Sequence, residues 1–388
     1  MREINSQQAP VVIIGGGIVG SAAAYYLARR GVKAVLLEKN TIGVEASGRN
    51  GGGVRAQCRV RIERRLAMAS IKLWEGLEAE TGMDMEYTQG GNIRLAATEA
   101  RMAQLQAEAE EELADGLYVE LWNRDELRRR APYLDSDHFI GAKYCPTDGV
   151  ANPILATWGI AAAARKAGAT LLTHTEAVSI ETQAGQVTGV TARTPDGILH
   201  LETPRVIHAA GVHTPQLAQT SGVQIPIKPA RVFVAVTQPV RPFFTEFVST
   251  HDFGVYFRPA RKGHVHIGSV GIFDETFDKS TPDYALPRLA TAARLVPALR
   301  GVSFLRTWAG ILAMTPDHLP VIGPVDGLEG LILATGFSGH GFCLGPIVGK
   351  LLSEMILDGA PSINLDALNL SRFASTVQSP TSPSSNRL

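Results

Sequence analysis

VVIIGGGIVGSAAAYYLARRGVKAVLLE, residues 11–38, decides the fold. Four apolar β-formers, Val11, Val12, Ile13 and Ile14, run straight into Gly15, Gly17 and Gly20, spaced G-x-G-x-x-G. An alanine-rich stretch follows, then Gly31, then a second apolar run that ends in Glu38. The pattern predicts strand, tight turn, helix, strand. Gly15 allows the turn, Gly17 lets backbone approach a pyrophosphate, and Gly20 lets the helix pack close to the strand. The helix N-terminus presents free N–H groups and a positive dipole end to the phosphates. Glu38 is placed to accept hydrogen bonds from an adenosine ribose, and its charge repels a 2′-phosphate. A lone G-x-G-x-x-G would be a weak signal. Here strand, helix and acid all stand in place, and the segment predicts a bound dinucleotide.

The rest of the composition agrees. A chain of 388 residues with 45% apolar content and 39 glycines can bury a large core and fits an α/β enzyme of two interleaved domains. Lys+Arg and Asp+Glu both total 37, so net charge gives no reason to expect nucleic acid or an anionic membrane as partner. Cys58, Cys145 and Cys343 are an odd and sparse set, which fits a reducing cytoplasm and no disulfide framework. No apolar run approaches the roughly 18–20 residues of a membrane span, and the first one is too short for a signal peptide. The chain reads as soluble and cytoplasmic.

Helical periodicity is expected over about 62–80, with Leu66, Ala69, Leu73, Trp74 and Leu77 on one face. Residues 84–97 alternate like strands. A charged helix over 98–113 starts at Thr98 as N-cap, and its Glu108, Glu110, Glu111 and Glu112 read as a solvated surface. Shorter helices are expected at 124–131 and 283–294, and an alanine-rich one at 153–167 opened by Pro153. Residues 224–308 are dominated by strands. TGFSGHGF, residues 335–342, reads as a second glycine turn feeding a helix, and the Ser/Pro-rich stretch from Ser371 onward reads as a disordered tail.

The N-terminal GGGIVG with its downstream acid, the central VIHAAG, and the C-terminal TPD and TGFSGHGF together resemble the FAD-dependent D-amino acid oxidase superfamily. Within it, SGRNGGGVR and the WAG–TPD pair look most like the β subunits of heteromeric sarcosine oxidases, and those of proline dehydrogenases, opine dehydrogenases and hydrogen cyanide synthases. The resemblance implies an α/β fold: a Rossmann-like FAD domain from residues 1–85, 146–222 and 309–370. An α+β substrate domain with a large mixed sheet comes from 86–145 and 223–308. It implies that Gly15, Gly17, Ile18, Val19, Gly20, Glu38 and Lys39 hold the ADP half. Ser47, Arg49, Asn50, Gly51 and Gly52 pass beside the pyrophosphate and the ring, with Gly53 next in the run. Val178 falls at the adenine, Ala210 and Gly211 beneath the nucleotide, and Gly336, Gly339, His340 and Gly341 at the pyrimidine end of the flavin. The implied chemistry is oxidation of an amine C–N bond: hydride leaves the α-carbon for flavin N5, and the imine hydrolyses. The implied partners are an amino acid or secondary amine (proline-, sarcosine- or opine-like) and α and small subunits with an electron acceptor. A stand-alone glycine or D-amino acid oxidase making peroxide is the alternative, and a flavin-binding subunit without chemistry of its own is a third.

Two departures bear on this. Glycine and D-amino acid oxidases of the superfamily carry a carboxylate-binding arginine just after WAG, where this chain has Ile311 and Leu312. Gly310 stands nearest the cysteine that bonds FAD covalently in monomeric sarcosine oxidases, so FAD is expected to be noncovalent. Asn152 stands where heterotetrameric enzymes have a histidine for covalent FMN, leaving room only for a noncovalent second flavin at a subunit interface. Replacement carboxylate anchors are then Arg55, after the glycine run, or Tyr256 and Arg258, which alternate on one strand face; a surface arginine and a structural strand pair are the plainer readings. His340 either contacts ring and substrate or merely orders its loop. His264 and His266 share a face but lack a third ligand for a metal. Cys343 reads as packing and Asp317 as a turn former.

Overall fold

A computed structural model of the chain describes residues 3–269 and 274–374. The strand Val12–Ile14 is fully buried and lies inside a ten-stranded sheet. Ile13 is in parallel register with Leu36 on one side and Ile207 on the other, and beyond them come Leu171 and Ile332. Continuous apolar strands are what a parallel sheet covered on both faces requires. The helix Ile18–Arg29 covers this sheet and packs against Gly341–Leu357 and Pro153–Lys166. Towards the other end, Gln186–Thr194 pairs antiparallel with Glu176–Gln183 and Gly197–Glu202, and Glu3–Gln8 adds in parallel at the edge.

An eight-stranded mixed sheet forms the second layer. Phe247–Thr250 runs parallel to Asn92–Ala96, and its other pairings are antiparallel. Ile93, Phe257 and Ile267 point into a core closed by the helix Ala285–Leu295. A row of cross-strand partners crosses the sheet: Lys143, Arg94, Ser249, Tyr256, Gly268, Val234 and Trp308. Directly opposed residues share a face, so the register gathers polar side chains from strands far apart in sequence. The strand Phe304–Met314 carries this sheet toward the first one, pairing with Lys228–Thr237 from Phe304 to Met314.

The helices fall where periodicity places them: Arg61–Thr81, Glu99–Ala114, Arg124–Arg130, Pro153–Lys166 and Ala285–Leu295. Thr98 caps its helix by accepting from the Arg101 N–H, and Asn152 does the same for Ile154 and Leu155. Of residues 84–97, only Asn92–Ala96 is a strand. The buried face of Arg61–Thr81 is rotated from expectation, taking in Ser70 and Ile71 while Ala69 and Leu73 are half-buried. Ser70 and Trp74 both donate to the Cys343 carbonyl, which fixes that rotation.

Two expectations are corrected. The acidic cluster is not simply a solvated surface: Glu112 is buried, accepts from the Cys58 N–H, and with Glu108 receives the ammonium of the fully buried Lys143. A buried lysine needs such partners. The tail does not begin at Ser371, because Leu370–Phe373 is a 3-10 turn whose Arg372 pairs with Asp317; the remaining expected tail, 375–388, lies outside the described residues. No described helix is long and apolar enough to cross a membrane.

Candidate functional site

The turn after Val12–Ile14 is built on close approach. Gly15 has φ +109°, and a Cβ there would run into the Ala209 carbonyl. A Cβ on Gly20 would meet the Gly15 carbonyl, which is the helix-to-strand contact its spacing predicts. Glu38 is buried at the end of the second strand, its carboxylate accepting from the N–H groups of Gly16 (2.7 Å) and Asn40 (2.8 Å). Ser47 reaches back to accept from the Ile18 N–H at 2.9 Å, tying the following loop to the helix start.

Three cavities adjoin along this line. The first, about 480 Å³, is lined by Gly15, Gly17, Glu38, Lys39, Val178 and Ala210, together with Ser47 and Gly211. The second, about 110 Å³, shares Gly17, Ser47 and Gly211 with it and continues past Ile18, Val19, Asn50, Gly336, Gly339 and Gly341. The third, about 140 Å³, shares Asn50 and Gly339 and ends at Gly51, Arg55, Tyr256 and His340. The result is one long trough with a carboxylate at one end and the starts of the helices Ile18–Arg29 and Gly341–Leu357 along its course. Its side-chain-free floor admits backbone-close contact, and the helix N-termini suit a pyrophosphate and an electron-rich ring. The residues fit a dinucleotide.

Gly20, Arg49, Gly52, Gly310 and Arg258 line none of these three cavities. Arg49 donates to the carbonyls of Val44 and Ala309, its own carbonyl accepts from the Trp308 indole, and Gly310 packs on its side chain. Asn50 donates to the carbonyls of Ala46 and Ser47 and accepts from the Gly52 N–H, locking the glycine run. Arg258 is buried against Gly52, donating to the Pro259 carbonyl and lying 2.9 Å from His266 Nδ1. The strand face Arg258 shares with Tyr256 is therefore divided, with only Tyr256 reaching the trough.

The third cavity is where side chains gather. Tyr256 stacks on Phe247 with ring centroids 5.1 Å apart and packs over Gly51, and burial pushes its hydroxyl up to about 12. The Arg55 guanidinium lies over the Phe247 ring, 4.7 Å from its centroid. Burial, then the charges of Arg94 and Arg59, push it down to about 9, so it is still a cation at neutral pH. Its Nε has no hydrogen-bond partner among the described residues. Arg94 and Ser249, neighbours in the cross-sheet row, line the same cavity. The sequence reading did not single them out. The signal for Arg94 is thin: an arginine in polar phase between Ile93 and Leu95.

His340 lines this cavity and also a fourth one of about 620 Å³, beside Glu63, Arg59 and Asp317. Its Nδ1 lies 2.9 Å from the Glu63 carboxylate. Burial, then the Arg59 charge, lower the imidazole despite Glu63, so it is neutral at pH 7. Burial raises Glu63, but His340 and Arg59 more than reverse this and hold it ionised. A carboxylate only accepts, so Nδ1 carries the hydrogen and Nε2 keeps a lone pair. Asp317 accepts from the Leu319 N–H and pairs with Arg372. His264 Nδ1 lies 2.8 Å from the Thr237 carbonyl, apart from the His266–Arg258 contact. Cys343 is buried, its thiol pointing at the Arg55 carbonyl.

Residues 10–355 match the family of FAD dependent oxidoreductases. The chain belongs to that family. It is similar to human mitochondrial dimethylglycine dehydrogenase, 29% identical over an alignment 390 positions long that covers 94% of this chain and 44% of the relative. It thus spans less than half the length of that protein. The sarcosine oxidase subunit beta of Rhizobium meliloti (strain 1021) is 29% identical over 370 residues, 94% of this chain and 88% of the relative. Among solved structures, L-proline dehydrogenase from P. horikoshii superposes with a TM-score of 0.90 at 30% identity, covering 96% of this chain and 99% of that one. The expected α/β fold with a large mixed sheet is the fold of these FAD-dependent oxidoreductases.

Proposed function

We propose that the chain oxidises the C–N bond of a small amino acid or secondary amine of the proline, sarcosine or opine kind. The observation that carries this is the third cavity: it joins the end of the dinucleotide trough and holds Arg55 with its Nε unpartnered. A half-buried cation whose shielded Nε has no acceptor favours an anionic ligand, and a carboxylate there sets an α-carbon at the flavin end of the trough. When bound, FAD supplies the two-electron acceptor; residues 1–85, 146–222 and 309–370 cradle it and 86–145 with 223–308 cover the substrate. Arg55 holds the carboxylate, and Tyr256 and Phe247 wall the cavity against water. His340, fixed by Glu63, offers Nε2 to the substrate ammonium, so that the amine enters the reaction neutral. Gly310 and Asn152 give no side chain for a covalent flavin, and a second flavin is not part of this reading. The resemblance to a sarcosine oxidase subunit beta supports a catalytic subunit with partner chains. A glycine oxidase of Geobacillus kaustophilus, matched over 98% of its own length, favours the second reading of a stand-alone oxidase.

The test is anaerobic: FAD-loaded protein is mixed with proline, hydroxyproline, sarcosine, glycine, D-amino acids and opines, and flavin bleaching is followed before air is admitted. Bleaching is expected with at least one secondary amino acid. Recolouring with peroxide marks an oxidase, and slow recolouring marks a dehydrogenase awaiting its acceptor. A flavin that dithionite reduces but no amine bleaches would defeat the proposal.

A further inference from the structure

The third cavity holds more positive charge than one carboxylate requires. Arg94 enters it from the sheet, in register with Ser249 on one side and Lys143 on the other. Arg55 enters from the loop after the glycine run and rests on Phe247, two register positions along from the Arg94–Ser249 pair and on the same face. Among the described residues neither guanidinium forms an ion pair. Arg94 is buried, its Nη1 faces His251 Nε2 at 3.2 Å, and its Nε has no partner. His251 gives no compensating charge, since an imidazole is neutral or cationic; burial and then Arg94 push it down to about 3 and keep it neutral. Ser249 Oγ, beside Arg94, is likewise buried and unpartnered. The acid Asp148 acts on Arg55 only through space, its Oδ1 taken by the Ala56 N–H. The contrast with Lys143, next in the same row, is instructive. That cation is matched by Glu108 and Glu112, so the fold compensates one cation of the row and leaves its neighbour open. Arg94, buried, and Arg55, half-buried with its Nε shielded from solvent, face one small cavity without an ion-pair partner, which is costly unless a ligand brings the anions.

We propose that Arg55 and Arg94 bind two separate carboxylates of one ligand, so that the substrate is a dicarboxylic amine. This rests on the functional reading above for the amine, but not for the anion sites. Arg55 takes the carboxylate beside the carbon that is oxidised, and Arg94 with Ser249 takes the distal one. A dicarboxylic N-alkyl amino acid, such as an amine joining two carboxylated carbons, supplies one anion for each guanidinium.

Calorimetric titration of the FAD-loaded chain with non-oxidisable probes tests it: succinate and glutarate against propionate and butyrate. The dicarboxylates should bind about tenfold or more tightly. Arg94→Gln should narrow that gap to about twofold or less, whereas Arg55→Gln should weaken both classes. Equal binding of both classes by the unaltered protein would overturn the inference. So would an Arg94→Gln variant that weakens both alike, because both arginines would then serve one carboxylate. Should Arg94→Gln lose its flavin, the comparison in the unaltered protein still decides. Amine oxidation separates the two proposals. Tight dicarboxylate binding without bleaching by any amine removes the catalytic reading and keeps the anion sites. Bleaching by N-methylalanine as readily as by N-methylaspartate keeps the catalytic reading and removes the second carboxylate.

Discussion

The two ends of the trough are made differently. The nucleotide end is backbone: glycines at the turn, N–H groups at a helix start, and one carboxylate held by the N–H groups of Gly16 and Asn40. The end proposed for the substrate is side chains, Arg55, Arg94, Ser249, Tyr256 and His340, delivered by loops and strands from four parts of the chain. A backbone site is specified by where a Cβ is forbidden, whereas a side-chain site is specified by register. The first tolerates almost no change at a few positions, and the second can be retuned residue by residue.

Gly15→Ala should break the first end outright. The new methyl meets the Ala209 carbonyl at a φ that L-residues rarely adopt. FAD affinity should fall by about 100-fold or more, read as flavin-to-protein ratio in a chain whose circular dichroism is retained. A variant that keeps its full flavin complement would show that the backbone end is less exacting than the geometry implies.

Glu63→Gln should leave flavin content intact and act only at the other end. We expect kcat/KM for the oxidised amine to drop about tenfold. Because the carboxylate raises the affinity of His340 for a proton, its removal should also move the acid limb of the pH profile to lower pH. A slower enzyme with an unmoved limb would mean that Glu63 only orders the loop.

The smallest effect concerns both ends. Burial depresses His208, in the ten-stranded sheet, to about 4 and His251, in the turn after the strand Phe247–Thr250 of the other sheet, to about 3, from an ordinary 6.5. Their folded values lie below the unfolded one, so as pH falls below 6.5 the unfolded chain takes up protons first and stability is lost. Thermal unfolding should drop by about 2–6 °C between about pH 6.5 and pH 4.5, and His208→Gln should flatten part of that slope. A slope unchanged by the substitution would move the acid sensitivity to the other sheet.

This difference also explains what could be read from the sequence. Residues 11–38 announce strand, turn and helix because each requirement there is local, and the second glycine turn at Gly336 to Gly341 announces itself for the same reason. Arg94 could not be found this way. It reaches the cavity because Asn92–Ala96 lies beside Phe247–Thr250, a long-range pairing between distant parts of the chain that no local pattern encodes. Arg258 fails in the opposite sense: period-two alternation puts it on the face of Tyr256, but the Pro259 carbonyl and His266 claim the guanidinium. Glu108 and Glu112 look solvated until Lys143 arrives from another strand.

Arg49 has a role that a ligand-binding motif would not suggest. Its guanidinium grips one carbonyl from its own loop and one from the strand Phe304–Met314, while Trp308 of that strand grips it in return. It works as an alignment pin between the layer that carries the nucleotide and the layer that carries the substrate. Damage at a pin is felt as misalignment: each half keeps all of its own contacts, and the two reacting atoms stop meeting.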